Sequence, residues 1–128
     1  DDLHVHELRD RRFGELSAGQ RQRVLLQRLV DSDAELAALD EPTAAMDGPA
    51  TAATYRTLRS LASTRQMTSV VATHEPAVAA PHANRIALLD PDGQGLVIGR
   101  PDEVIARPRF HQLFGDIPDD RAHEATHA

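Results

Sequence analysis

The first strong pattern is a stripe of four apolar residues at helical spacing: Leu25, Leu26, Leu29 and Val30. Polar side chains such as Arg21, Gln27 and Arg28 fall on the opposite side. Ser17 and Gln20 lie three residues apart, which is the pattern of a capping box at a helix start. We therefore predict a helix that begins after Ser17 and ends at the polar run 31–33.

Two short apolar runs follow, at residues 36–39 and 68–73. The first is continuous and bounded by Asp40 and Pro42, which is typical of a buried parallel strand. Between the runs, Asp47 can cap a helix that continues to about residue 64. A strand, a helix and a second strand predict a parallel βαβ unit with a right-handed crossover.

The remaining residues predict a smaller set of elements. A third strand is expected at 85–89, a turn at 91–95, and a hairpin strand at 96–98. Two short helices are expected near 102–106 and 109–114, and the last dozen residues are polar and expected to fray. The predicted fold class is therefore α/β, with parallel strands, flanking helices, a C-terminal β-hairpin and short helices.

Composition limits the kinds of core, metal site and partner that we expect for this chain. The 128 residues suit one domain or a large piece of one, and 3% aromatic content predicts an aliphatic core. The absence of cysteine excludes disulfides and thiolate metal sites, and a net charge of −6 argues against a nucleic-acid surface. No apolar run approaches the roughly 18 residues that span a bilayer.

All fourteen basic residues are arginine, and the chain opens without Met, so we expect that an N-terminal part lies elsewhere.

Asp40 and Glu41 stand at the end of the first predicted strand. Ligands of open α/β sheets bind beyond the carboxyl ends of the strands. One carboxylate there can hold a hydrated Mg²⁺, and a second can deprotonate an attacking water. An Asp-Glu-Pro sequence is equally typical of a plain turn that ends a strand.

His74 stands just beyond the second predicted strand, so it can share a sheet edge with Glu41. An imidazole at that edge can hydrogen-bond a phosphate oxygen. The alternative is a solvent-facing loop histidine, which is the commoner case in a chain with seven histidines. The six others have no ligand spacing and are interpreted as solvated surface.

Residues 17–20 form the third candidate site. A helix N-terminus offers unpaired N–H groups and a partial positive charge, which attract phosphate. Gly19 allows a close approach of the backbone. The alternative is a helix cap with no ligand.

Four segments in sequence order match one family. Residues 16–24 resemble the signature segment of ATP-binding cassette (ABC) ATPases, usually Leu-Ser-Gly-Gly-Gln followed by Gln-Arg. Residues 39–43 resemble the Walker B strand with its glutamate, 44–47 the D-loop, and 73–75 the switch-histidine loop. Residues 1–115 are therefore similar to the C-terminal part of an ABC nucleotide-binding domain, with 116–128 as a polar tail expected to be disordered. This resemblance implies part of a P-loop NTPase-like fold.

The resemblance implies roles for the residues at the strand ends. Asp40 would bind Mg²⁺ through water, Glu41 would be the general base for ATP hydrolysis, and His74 would contact the γ-phosphate. The reaction would be phosphoryl transfer, in which positioning and charge stabilisation supply most of the acceleration.

The resemblance also implies roles across a dimer. Ser17, Gly19 and Gln20 would meet the γ-phosphate of an ATP molecule held by the opposite cassette, and Asp47 would couple the two sites. The expected partners are a second nucleotide-binding domain and transmembrane permease subunits, with no nucleic acid and no direct membrane insertion. The expected location is cytoplasmic, on the inner face of the cell membrane.

The chain also departs from the family pattern. Ala18 replaces the first signature glycine, and Ala44 and Met46 replace the common Ser and Leu of the D-loop. No Gly-Lys-Ser/Thr loop, glutamine loop or adenine-stacking aromatic is present, and there is no lysine at all. We therefore expect the chain by itself to bind ATP poorly and to hydrolyse almost none.

The C-terminal segment indicates a subtype. Residues 97–105 and 110–115 resemble the closing segment of metal, haem or siderophore importer cassettes, although a generic pair of packing helices would look similar. The function that the resemblance implies is that of an ATP-binding and hydrolysing subunit of an ABC transporter, which couples ATP hydrolysis to transmembrane transport. Two other functions remain open. One is a non-transport ABC ATPase, and the other is a non-catalytic signature module that completes a partner's ATP site.

Overall fold

The computed structural model describes residues 3–92 and 95–117 of the chain. The chain divides into two compact units, the first ending at His74 and the second beginning at Glu75. The predicted polar tail is described only at 116–117, and positions 93–94 of the predicted turn also lie outside the described residues.

The first unit contains the predicted strand–helix–strand arrangement behind an N-terminal helix. Its elements are two 3₁₀ turns at His6–Leu8 and Phe13–Glu15, α1 at Ala18–Val30, β1 at Leu36–Asp40, α2 at Gly48–Arg65 and β2 at Thr68–Ala72. The two strands pair in parallel, with Leu36 opposite Thr68 and Asp40 opposite Ala72. The α/β class and the parallel pairing are therefore confirmed.

Helix α1 begins as its sequence predicts. Ser17 Oγ accepts from the Gln20 amide at 3.2 Å, and Gln20 Oε1 accepts from the Ser17 amide at 2.9 Å, which completes the capping box. The predicted apolar stripe is wrong at one position, because Leu25 is 50% exposed whereas Leu26 is buried. Neighbouring residues lie roughly 100° apart around a helix, so a narrow buried face takes one of the pair and leaves the other outside.

Strand β1 is buried on one face only, which corrects the prediction of a fully buried strand. Ala37 is buried on the face that packs inward. Leu36 and Val70 lie on the opposite face of the sheet and are 64% and 59% exposed. A parallel strand usually has a continuously apolar sequence because both of its faces are covered. Within the described residues, only one face of β1 is covered.

Helix α2 contributes more buried apolar residues than any other described element of this unit. Asp47 is its N-cap, as predicted, and its Oδ1 accepts from the Ala50 amide at 2.9 Å. The helix ends at Arg65, and its C-cap Gln66 has a left-handed backbone (φ +56°) that turns the chain towards β2. The buried apolar residues of α2 and the following turn are Ala53, Tyr55, Leu58, Leu61 and Met67.

The second unit is built around an antiparallel hairpin. Its elements are α3 at Pro76–Ala79, a 3₁₀ turn at Ala80–His82, β3 at Ile86–Leu89, β4 at Leu96–Gly99, α4 at Pro101–Ile105 and α5 at Pro108–Phe114. The hairpin and the last two helices confirm the prediction, whereas α3 and its 3₁₀ turn were not predicted. The core contains Leu88, Val104 and Phe110. The ring of Phe110 here and the ring of Tyr55 in the first unit are both buried, so the prediction of an aliphatic core is wrong.

Candidate functional site

The ends of β1 and β2 lie side by side at one edge of the parallel sheet. The pairing of Asp40 with Ala72 brings both carboxyl ends to that edge. The Glu41 N–H donates to the Ala72 carbonyl at 2.8 Å, which extends the pairing one residue past β1. The structure thus places Glu41 beside the chain that leads to His74.

Glu41 has an uncommon backbone conformation. Its φ is +46°, in the left-handed region that costs a non-glycine residue roughly 1–2 kcal/mol. Hydrogen bonds hold both of its peptide groups, because the N–H donates to Ala72 and the carbonyl accepts from Gln22 Nε2 at 3.2 Å. Backbone held in a sparsely populated conformation is characteristic of functional sites.

Glu41 and His74 form a direct pair. Glu41 Oε1 lies 2.5 Å from His74 Nδ1 and accepts from the His74 backbone N–H at 3.0 Å. The His74 side-chain hydrogen bond is the main cause that lowers the pKa of Glu41 from 4.5; partial desolvation opposes it, and the His74 backbone N–H adds to it. Glu41 is therefore an ionised carboxylate at neutral pH, which is the form that a base requires.

The geometry also constrains the proton on His74. Since Glu41 Oε1 is an acceptor, Nδ1 carries a hydrogen in this arrangement. The second ring nitrogen, Nε2, can then donate to a phosphate oxygen only when the imidazole is protonated. With 76% of its side chain exposed, His74 is accessible to a ligand from solvent.

Asp40 is exposed at the end of β1, next to this pair. Among residues 3–92 and 95–117 there is no group of three or more His, Cys, Asp or Glu side chains that could hold a metal ion. Mg²⁺ needs no such group, because it keeps several waters and takes one or two carboxylates together with phosphate oxygens. A single exposed carboxylate such as Asp40 is compatible with that requirement.

The N-terminus of α1 lies against the segment that follows β1. A Cβ on Gly19 would come within 2.6 Å of the Ala45 carbonyl oxygen, so only glycine fits without movement of the backbone. Ser17 and Gln20 bond each other's amides in the capping box, and Asp47 caps α2. Each of these predicted site residues therefore has a local structural role, and the structure brings α1 next to residues 41–45.

The resemblance places Gln22 in the signature segment and Ala45 in the D-loop, but it gave neither residue a role. Gln22 resembles any polar residue of an exposed helix face, and Ala45 contributes a backbone carbonyl rather than a side chain. Both contacts join residues at least nineteen positions apart, so no local pattern contains them. The predicted residues Asp40, Glu41 and His74 do lie together at one sheet edge.

None of the helices in the described part of the chain is both long and apolar enough to cross a membrane.

Comparisons with known proteins agree on one family. A protein-family model described as ABC transporter matches residues 1–44. The zinc import ATP-binding protein ZnuC of Cereibacter sphaeroides is 36% identical over 111 residues, which are 87% of this chain and 45% of that protein. The sulfate/thiosulfate import ATP-binding protein CysA of Methylococcus capsulatus is 38% identical over 113 residues, which are 86% of this chain and 32% of that protein.

A solved structure has the same fold. It is described as an inward-facing conformation of a metal-chelate type ABC transporter, and it matches with a TM-score of 0.73 and 34% identity. The match covers 88% of this chain and 44% of the solved chain. The chain thus spans less than half the length of these relatives.

Proposed function

Because this chain belongs to the ABC ATPase family, we propose that residues 1–115 are the C-terminal part of a nucleotide-binding domain that couples ATP hydrolysis to import. The contact between Glu41 and His74 at the ends of two parallel strands carries this proposal. Import is favoured because the relatives named above are import subunits, and residues 97–105 and 110–115 resemble importer cassettes of the metal or metal-chelate type.

Glu41 is the general base of the proposed reaction. It accepts a proton from a water molecule while the water oxygen bonds to the γ-phosphorus and the bond to the ADP oxygen breaks. A carboxylate has about four lone-pair sites, so Glu41 can accept this proton while it still holds His74. The pairing costs basicity, because a lowered pKa makes a weaker base, but it fixes the position of the carboxylate.

His74 and Asp40 act on the phosphate groups. A protonated His74 donates from Nε2 to a γ-phosphate oxygen while Nδ1 stays on Glu41. Asp40 would hold hydrated Mg²⁺, which supplies positive charge to the phosphates when it is bound. Both side chains are exposed, so a nucleotide can reach this edge.

The end of α1 serves the nucleotide of a second cassette in this proposal. The Ser17 hydroxyl accepts from Gln20 and can still donate to a phosphate oxygen. The Gln20 amide group can also donate, since its Oε1 is the atom used in the capping box. Gly19 exposes backbone N–H groups at the positive end of the helix, and Asp47 lies in the D-loop between the two sites. A second nucleotide-binding domain and permease subunits are the proposed partners, at the cytoplasmic face of a membrane.

The test is Glu41→Gln in this chain when it is combined with the half that carries the missing Gly-Lys-Ser/Thr loop (Walker A), whether in the same polypeptide or as a separate one. ATP turnover should fall by at least about 10²-fold while nucleotide binding is retained, because only the base is lost. Glu35→Gln is the matched control, since Glu35 is an exposed carboxylate that precedes β1. Turnover within about twofold of the native rate would overturn the assignment of Glu41. It would favour a module that only completes a partner's site.

A further inference from the structure

We propose that Gln22 is a positioning residue for the hydrolytic pair, which it controls by holding the backbone of Glu41. Gln22 lies in α1 and donates from Nε2 to the Glu41 carbonyl at 3.2 Å, across nineteen positions of sequence. This inference rests on the proposed role of Glu41 as the base. It assigns Gln22 no contact with substrate.

The hydrogen bond acts on a backbone that needs support. Glu41 is held at φ +46°, a conformation that a glutamate rarely adopts. Its N–H donates to Ala72 in β2, and its carbonyl accepts from Gln22 Nε2 at 3.2 Å and from the N–H of Ala44, three residues on, at 3.3 Å. With both peptide groups held, the side chain is directed so that Oε1 meets both the ring and the backbone N–H of His74. Without Gln22 the carbonyl keeps only the longer bond from the Ala44 N–H at 3.3 Å, which lets the backbone relax and moves the carboxylate away from His74.

The stability of the fold does not account for this glutamine. Gln22 Oε1 is buried and has no hydrogen-bond partner among the described residues. A buried acceptor without a partner destabilises a protein, and an apolar side chain of similar length would avoid that cost. The amide orientation follows from the contact itself, since the opposite orientation would set two acceptor oxygens against each other. The glutamine therefore serves the geometry of Glu41.

The contact also links two parts of the proposed machinery in one chain. These are the N-terminal turn of α1, which serves the nucleotide of a second cassette, and the residue after β1, which acts as the base. Gln22 lies one turn after Gly19, whose Cα is packed against the Ala45 carbonyl. The first turn of α1, the residue after β1 and the D-loop are thus in direct contact. A displacement of α1 at its N-terminus is transmitted through Gln22 to the backbone that carries the base.

Amide hydrogen exchange of Gln22→Met in the 128-residue chain tests the proposal without any ATP. Methionine keeps the length of the side chain and removes the donor. The Glu41 and His74 amides should exchange about tenfold faster, the factor that one lost hydrogen bond supplies. The β1 and β2 ladder amides should keep their rates, and the melting temperature should stay equal or rise. Gln22→Lys, which restores a donor, should return the two amides towards native rates.

Gln27→Met is the matched control on the same helix. Gln27 Nε2 donates to Asp31 Oδ1 at 3.0 Å, away from Glu41, so its loss should leave both site amides unchanged. Uniformly faster exchange across the first unit in Gln22→Met would show a structural role only and overturn the proposal. If Gln22→Met does not fold, Gln22→Ala gives the same measurement, and unchanged site amides in it would also overturn the proposal.

A second measurement uses turnover with the Walker A-bearing half. Gln22→Met should lower kcat about tenfold or more and leave KM for ATP within about twofold, because misplacement of a base affects the chemical step. Native kcat in Gln22→Met together with abolished turnover in Glu41→Gln would overturn the role of Gln22 alone. Normal turnover in Glu41→Gln would overturn the proposed function, while the exchange result would still report on the contact.

Discussion

A carboxylate is held by a cationic or titratable partner in both units, but the surroundings differ. In the first unit, Glu41 meets His74 on loops beyond two strand ends, where His74 is open to solvent and Glu41 has a left-handed backbone. In the second unit, Asp90 is largely enclosed and accepts two hydrogen bonds from Arg109, at 2.6 and 2.8 Å. The first pair is available to a ligand, whereas the second fastens the end of β3 to α5.

Their surroundings distinguish the proposed functional pair from the structural one. A short distance between charged atoms occurs in both units and decides nothing by itself. The position beyond parallel strand ends, the strained backbone and the exposed partner occur together only at Glu41 and His74 among the described residues. Experiments on one unit that leave the other unchanged would sharpen this contrast.

The largest expected effect is on the core of the second unit. Phe110 is 1% exposed and packs with Leu88 and Val104. Phe110→Ala should reduce the free energy of unfolding of this unit by about 3–5 kcal/mol, from lost burial and the remaining cavity. Hydrogen exchange should become fast in the β3–β4 hairpin and stay slow in β1 and β2. Phe13→Ala, at a half-exposed ring of the first unit, is the control with a much smaller effect. Equally faster hydrogen exchange in both units would contradict this expectation, because the two units would then unfold cooperatively as one.

A smaller effect is expected in the first unit, at the contact of α1 with the D-loop. Gly19→Ala places a Cβ within 2.6 Å of the Ala45 carbonyl oxygen, so backbone has to move. We expect a loss of about 1–3 kcal/mol in denaturant unfolding, with NMR shift changes centred on residues 17–22 and 41–47. Gly48→Ala has open space around its Cβ and should change stability by less than about 1 kcal/mol. Native stability in Gly19→Ala would show that the contact yields easily.

The smallest expected effect is the acid response of the second unit. Hydrogen bonds from Arg109 are the main cause that lowers the pKa of Asp90 from 3.8, against partial desolvation. A lowered pKa in the folded state contributes stability that is present above pH 3.8 and is lost as the pH falls through the folded-state pKa. The melting temperature of this unit should therefore decline more steeply below about pH 4 in the native chain than in Asp90→Asn. Asp102→Asn, which alters the exposed pair with Arg100, should leave the native slope. Identical slopes in native and Asp90→Asn chains would contradict the role of this carboxylate.

Local signals in the sequence predicted much of this molecule. The capping box of Ser17 and Gln20, the N-cap at Asp47 and the parallel strands all depend on residues within a few positions or on repeating patterns. The meeting of Glu41 and His74 was also predictable, because parallel strands bring their carboxyl ends to one edge.

Four features could not be predicted in this way. The hydrogen bond from Gln22 to Glu41 and the one from Arg109 to Asp90 each join residues nineteen positions apart. No short sequence pattern indicates either bond. The left-handed backbone of Glu41 depends on partners in α1 and β2 rather than on its residue type. The exposure of Leu36 and Val70 depends on what covers the sheet, which their own apolar character does not reveal.

The open face of the parallel sheet has a practical consequence. Leu36 and Val70 present aliphatic surface to water on adjacent strands, with Ala38 between them. Aliphatic surface of this kind is a liability for aggregation when it stays uncovered. Purified on its own, the chain is expected to become turbid as it is concentrated, and chaperones that hold unfolded clients should retain it during expression. Mild detergent below its micelle concentration should keep it in solution, because detergent tails cover the same side chains.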